Sequence, residues 1–227
     1  MSRLTQLFSD IPSLLISVII ALIALSVHEM AHGYAAYKLG DPTARAFGRL
    51  SLNPIRHLDL LGTLCMIFFG FGWAKPVPVN TRYFKKPRRD MAITALAGPL
   101  SNILMSFGAV VVYRIVLVLV NANYALFDTN FKSNLIMLVL EFFASFAIMN
   151  LYLGIFNLIP VPPLDGSRIL FVVLPDKYYF GIMRYEQYIR IALFVLLYVG
   201  LLDGPLTGMC ALVMNGFNAL ISLIPGL

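Results

Sequence analysis

Residues 18–37 read VIIALIALSVHEMAHGYAAY. Ten almost entirely apolar residues run straight into His28-Glu29-Met30-Ala31-His32. Ionisable groups inside a bilayer cost several kcal/mol or more unless they are paired, so three in one apolar run mark function. His28 and His32 are four residues apart. On a helix they share one face, and both rings reach one ion. Zinc accepts imidazole nitrogen, and a catalytic zinc site takes three protein ligands and keeps one open position. In HExxH sites the glutamate is not a ligand. It takes a proton from the attacking water and can pass it to the leaving amine. The bland alternative is a pair of helix histidines making ordinary hydrogen bonds. It gives no common purpose to His28, Glu29 and His32 together.

Composition supports a membrane setting. The 227 residues are 59% hydrophobic and 12% charged, with a mean hydropathy of +0.83. An ordinary soluble domain is about 25% charged. The expected class is an all-α polytopic membrane protein forming a single domain over residues 1–227. Cys65 and Cys210 both lie in apolar stretches, which is no disulfide framework and no zinc-finger spacing. The net charge of +6 sits between hydrophobic runs, as topology signals do, so no nucleic-acid partner is expected. The first apolar segment lacks a small-residue cleavage site and is read as a retained helix.

A spanning helix needs about 20 mostly apolar residues. Candidates are Ile11 to Lys38, Met91 to Val120, Asn134 to Leu158, a fourth near Glu186 to Leu202 and a fifth near Leu206 to Ile224. The stretch Leu58 to Trp73 is short and carries Gly62, Gly70 and Gly72. It reads as a possible re-entrant segment, tolerated where protein or water satisfies its backbone. Charge favours that reading. If it folds back, the basic residues of 38–57, 75–90 and 159–190 share one side, and 14 of the 17 Lys and Arg are cytoplasmic. Five spans with the N-terminus out and the C-terminus in follow, with six as the alternative. Ala46 to Leu52 alternates like a short strand, and Lys75-Pro76-Val77-Pro78-Val79 suits an extended edge, which together suggest a small membrane-associated β-hairpin or sheet.

The third ligand could be His57 or one of the acids Asp59, Glu141 and Asp165. His57 lies 25 residues after His32 in a basic loop. Asp165 lies in NLIPVPPLDG, residues 157–166, where prolines break the backbone at the end of a span. Broken backbone at membrane depth is a common way to build an intramembrane site, which favours Asp165. The bland reading makes Asp165 a helix cap. Asn102, in Gly98-Pro99-Leu100-Ser101-Asn102, reads as a helix-contact residue. Glu141 and Arg114 also fall at membrane depth, with no role fixed.

HEMAH, GDPTA, GRLSLNP, GWAKPVPVN, KKPRRDM, AGPLSN and NLIPVPPLDG together resemble the site-2 protease family of intramembrane zinc metalloproteases. The likeness covers about Ser26 to Leu170, without an inserted PDZ or CBS segment. It implies a catalytic core of about 11–170 and accessory C-terminal helices of about 186–225. It implies one zinc per chain held by His28, His32 and Asp165, with Glu29 catalytic. Asn157 matches a family asparagine near the active site and could donate a hydrogen bond to the oxyanion. The implied partners are the lipid bilayer and a transmembrane or membrane-associated peptide substrate. The implied location is a prokaryotic inner membrane, with the active site open to the cytoplasm. Two other classes compete. A metal transporter could use the same ligands but has no need of Glu29. An inactive helix-binding relative would not need the complete set of four residues.

Overall fold

The computed structural model describes residues 11–69, 74–122 and 130–224. The end of the expected re-entrant stretch, residues 70–73, lies outside these residues. The chain is mostly helical. α1 is Ile11–Lys38, α2 the single turn Thr43–Ala46, α3 Leu60–Phe69, α4 Pro87–Ala122, α5 Asn130–Leu158, α6 Asp165–Val173, α7 Asp176–Met183, α8 Glu186–Val199 and α9 Asp203–Ile221. Among the described residues, four helices are long and apolar enough to cross a membrane, over Ser13–Lys38, Pro87–Ala122, Lys132–Leu158 and Asp203–Ile221.

α4 is the hub, packing against α1, α5 and α6. Its contacts run antiparallel to both long neighbours. His28 meets Asn102 while His32 meets Thr94, and Asn102 meets Asn150 while Ser106 meets the Ala147 carbonyl. α9 in turn runs antiparallel to α5. Leu206 and Cys210 pack with Leu151 and Ile155, and Ile221 packs with Ala147, Ala109 and Val110. The four long helices therefore alternate in direction, so α1 starts and α9 ends on the same side. The five expected spans, with the C-terminus opposite the N-terminus, are not confirmed by this arrangement. The fourth expected span is too short. α8 has 14 residues and stops at Gly200, whose φ of 77° suits only glycine well. At 1.5 Å per residue it reaches about 21 Å, less than the roughly 30 Å hydrocarbon core.

The expected hairpin is also absent among the described residues, where the one β pairing is an isolated antiparallel bridge between Leu58 and Ala74. Asp41 explains part of this. Its buried carboxylate accepts from the backbone and hydroxyl of Thr43, turning the chain into α2, so Ala46 belongs to a helical turn and not to a strand. Residues 75–80 form neither helix nor strand, and their amides go elsewhere. Lys75 N–H donates to the His57 carbonyl at 2.8 Å, Val77 N–H to Glu29 Oε2 at 2.8 Å and Asn80 N–H to Asp41 Oδ2 at 2.7 Å. Pro76 and Pro78 have no N–H to give a neighbouring strand. The bridge brings the two ends of the 58–74 segment together. α3, its helical part, has ten residues and reaches only about 15 Å.

Candidate metal centre

His28 and His32 sit on adjacent turns of α1, both buried, at 4% and 8% exposure. Their rings meet edge to face with centroids 4.6 Å apart. Asp165 arrives from the first turn of α6. After Leu158 the chain turns through three prolines, Leu164 is extended, and α6 starts at Asp165. A carboxylate is favoured there by the helix dipole. The corner depends on Gly166. A Cβ at that position would lie 2.3 Å from the Leu158 carbonyl oxygen and 2.5 Å from that of Ile159. Gly166→Ala is expected to cost about 3 kcal/mol and to pull Asp165 from the histidines. A lowered thermal midpoint together with reduced zinc content would check it.

Three donor atoms converge. His28 Nε2 and His32 Nε2 are each 3.0 Å from Asp165 Oδ2, and 3.0 Å from each other. The far side of each ring decides what these atoms offer. His32 Nδ1 lies 2.7 Å from the Thr94 carbonyl oxygen, and His28 Nδ1 lies 2.6 Å from Asn102 Oδ1. Both partners only accept, so each Nδ1 carries the proton and each neutral ring leaves Nε2 bare. Two bare nitrogens and a carboxylate oxygen at mutual 3.0 Å repel one another unless a cation lies among them. The set is two imidazoles and one carboxylate, all within reach of zinc's bonds of roughly 2.0–2.2 Å.

α4 is shaped to receive the rings. Pro99 lies inside it and has no N–H for the Ala95 carbonyl, and the neighbouring Thr94 carbonyl faces His32 Nδ1. Gly98 leaves the room the rings occupy. A Cβ there would lie 2.3 Å from His32 Nε2 and 2.8 Å from His28 Cε1.

The other candidates fall outside the cluster. His57 is buried and contacts the Ser51 carbonyl at 2.7 Å through Nε2, whereas Asp165 lies with His28 and His32 in a group that could hold a metal ion. Glu29, half-buried beside His28, is held by Val77 N–H. Asn157 donates from Nδ2 to the Leu153 carbonyl of its own helix at 2.9 Å. Arg114 bonds Asn218 rather than Glu141. Sequence reading missed the contact of Asn102 with His28, the amide of Asn150 behind it and the space left by Gly98. The available signal was a fully buried amide in each of two apolar helices.

The description "Peptidase family M50" matches residues 16–200. The chain belongs to this family. It is 42% identical over 179 residues to a Bacillus subtilis protein named "Putative zinc metalloprotease YwhC", covering 79% of this chain and 78% of that one. It is 29% identical over 190 residues to the Mycobacterium tuberculosis protein Rip2, which carries the same description, covering 81% of this chain and 66% of the relative. "Zinc metalloprotease MJ0392" of Methanocaldococcus jannaschii is 29% identical over 160 residues, 70% of this chain and 34% of its own length. No solved structure matches. As a member of family M50 the chain is a peptide-bond hydrolase of the metalloprotease type, and its four long apolar helices fit an integral membrane protein.

Proposed function

We propose that the chain is a zinc endopeptidase cleaving peptide bonds in or near transmembrane segments of other proteins, with His28, His32 and Asp165 holding one zinc. The observation that carries this is the convergence of two bare imidazole nitrogens and a carboxylate oxygen beside Glu29. A zinc ion held there supplies positive charge that acidifies water and polarises a carbonyl. Glu29 then takes the proton from the attacking water and returns it to the leaving amine. Val77 N–H fixes one oxygen of Glu29, which keeps the other available. The remaining N–H of Asn157 is a donor for the oxyanion of the tetrahedral intermediate. A substrate helix must unwind first, because its peptide bonds are shielded and internally hydrogen-bonded. Residues 75–80 lie against the opened segment.

The proposed topology makes the basic residues 38–57 and 75–90 cytoplasmic in a prokaryotic inner membrane. The meeting of Leu58 with Ala74 supports a shared side for these two basic segments, since a segment whose ends meet returns to where it began. Cysteines introduced at residues 85–89 are expected to resist an impermeant thiol reagent added outside intact cells. Their labelling would reverse the orientation.

The deciding experiment uses purified full-length protein in detergent with labelled transmembrane peptides. About one zinc per chain and cleavage abolished by a chelator, then restored by zinc, are expected. Absence of zinc from folded protein would overturn the metal assignment. Cleavage indifferent to chelation would overturn the mechanism.

A further inference from the structure

We infer that Asn150 is a positioning residue for His28, acting through Asn102, so that two buried amides in series decide which nitrogen of the ring is bare. This rests on the metal reading above. An amide offers an oxygen that only accepts and an NH2 that only donates, so a half-turn of its plane exchanges the two roles. The chain of contacts has one consistent sense. The Phe146 carbonyl only accepts, so Asn150 turns Nδ2 toward it, at 2.9 Å. Asn150 Oδ1 is then left to face Asn102, which answers with Nδ2 at 2.8 Å. That leaves Asn102 Oδ1 for His28 Nδ1, at 2.6 Å. A longer bond from Asn102 Nδ2 to the Ala24 carbonyl, at 3.2 Å, acts in the same sense.

Both asparagines are fully buried, so an unmet amide here is costly. If Asn102 turned over, its NH2 would face His28 Nδ1. The ring would then carry its proton on Nε2, the atom that points at His32 and Asp165. A protonated Nε2 cannot ligate. The ordinary role of a partner behind a ligating histidine is to fix its tautomer. Here that role is relayed from α5, a helix that contributes none of the three donors.

The test measures zinc affinity of the full-length protein by competition with a chromophoric chelator. Asn150→Leu, close in volume, is expected to weaken zinc binding about 10–100-fold. Asn150→Asp keeps an oxygen facing Asn102 and loses the bond to Phe146, so affinity within about threefold of the unmutated protein is expected. Asn102→Asp presents a carboxylate oxygen to His28 whichever way it turns. In that background Asn150→Leu is expected to change affinity by less than about threefold. If Asn150→Leu does not fold, Asn150→Ala takes its place in both backgrounds.

Unchanged affinity in Asn150→Leu would overturn the inference while leaving the metal reading intact. Equal losses in both backgrounds, or an equal loss in Asn150→Asp, would make Asn150 a packing residue and also overturn it. An unmutated protein that binds no zinc would remove the metal reading and this inference with it.

Discussion

Glu29→Gln is expected to keep its zinc and lose about 10²–10⁴-fold in cleavage rate. The substitution changes little besides proton affinity. A glutamine oxygen still accepts from Val77 N–H, so the side chain keeps the anchor that now holds Glu29 Oε2 at 2.8 Å. Glu29 is also not among the three converging donors, so the ligand set is untouched. What is lost is the group that takes a proton from water, since an amide does not titrate in this range. Zinc content and peptide cleavage measured on one preparation check this. Retained zinc with near-normal cleavage would remove Glu29 from the mechanism. Loss of zinc would make it a ligand or a structural support.

Gly98→Ala is expected to abolish zinc binding and cleavage together, although alanine is the better helix former by about 1 kcal/mol. The added methyl has nowhere to go. It would sit 2.3 Å from His32 Nε2, 2.5 Å from His32 Cε1 and 2.8 Å from His28 Cε1. Both rings must move, and they cannot do so while keeping their bonds to Thr94 and Asn102. Gly108→Ala, on the same helix, is the matched control, because nothing lies within 4 Å of its added carbon. It is expected to leave zinc content and activity unchanged. Full zinc occupancy in Gly98→Ala would mean that α4 does not press on the rings as described.

The four residues proposed to do the chemistry were legible because each breaks a local rule. His28, Glu29 and His32 interrupt an apolar run, and Asp165 follows a cluster of prolines. The resemblance to the site-2 proteases implied their roles, and the structure groups Asp165 with His28 and His32 while His57 contacts the Ser51 carbonyl. What was not legible depends on partners distant in the chain. Nothing in the neighbourhood of Asn102 or Asn150 says that one amide faces the other across two helices. The alternation in Ala46 to Leu52 suggested a strand, but its first residue ends the helical turn Thr43–Ala46, where Thr43 N–H donates to Asp41 Oδ1. The run near Glu186 had the apolarity of a span but not the length, because Gly200 ends the helix. Hydropathy sums composition over a window, and it does not register where a backbone must turn.

The distance along the chain between the ligands has a consequence for biosynthesis. His28 and Asp165 are separated by 137 positions, which a ribosome adding roughly 5–20 residues per second covers in about 7–27 s. Throughout that interval the first helix carries only two of the three donors. On the proposed ligand set, the nascent chain therefore lacks its metal centre until α6 has been made, and it cannot cut its neighbours before then.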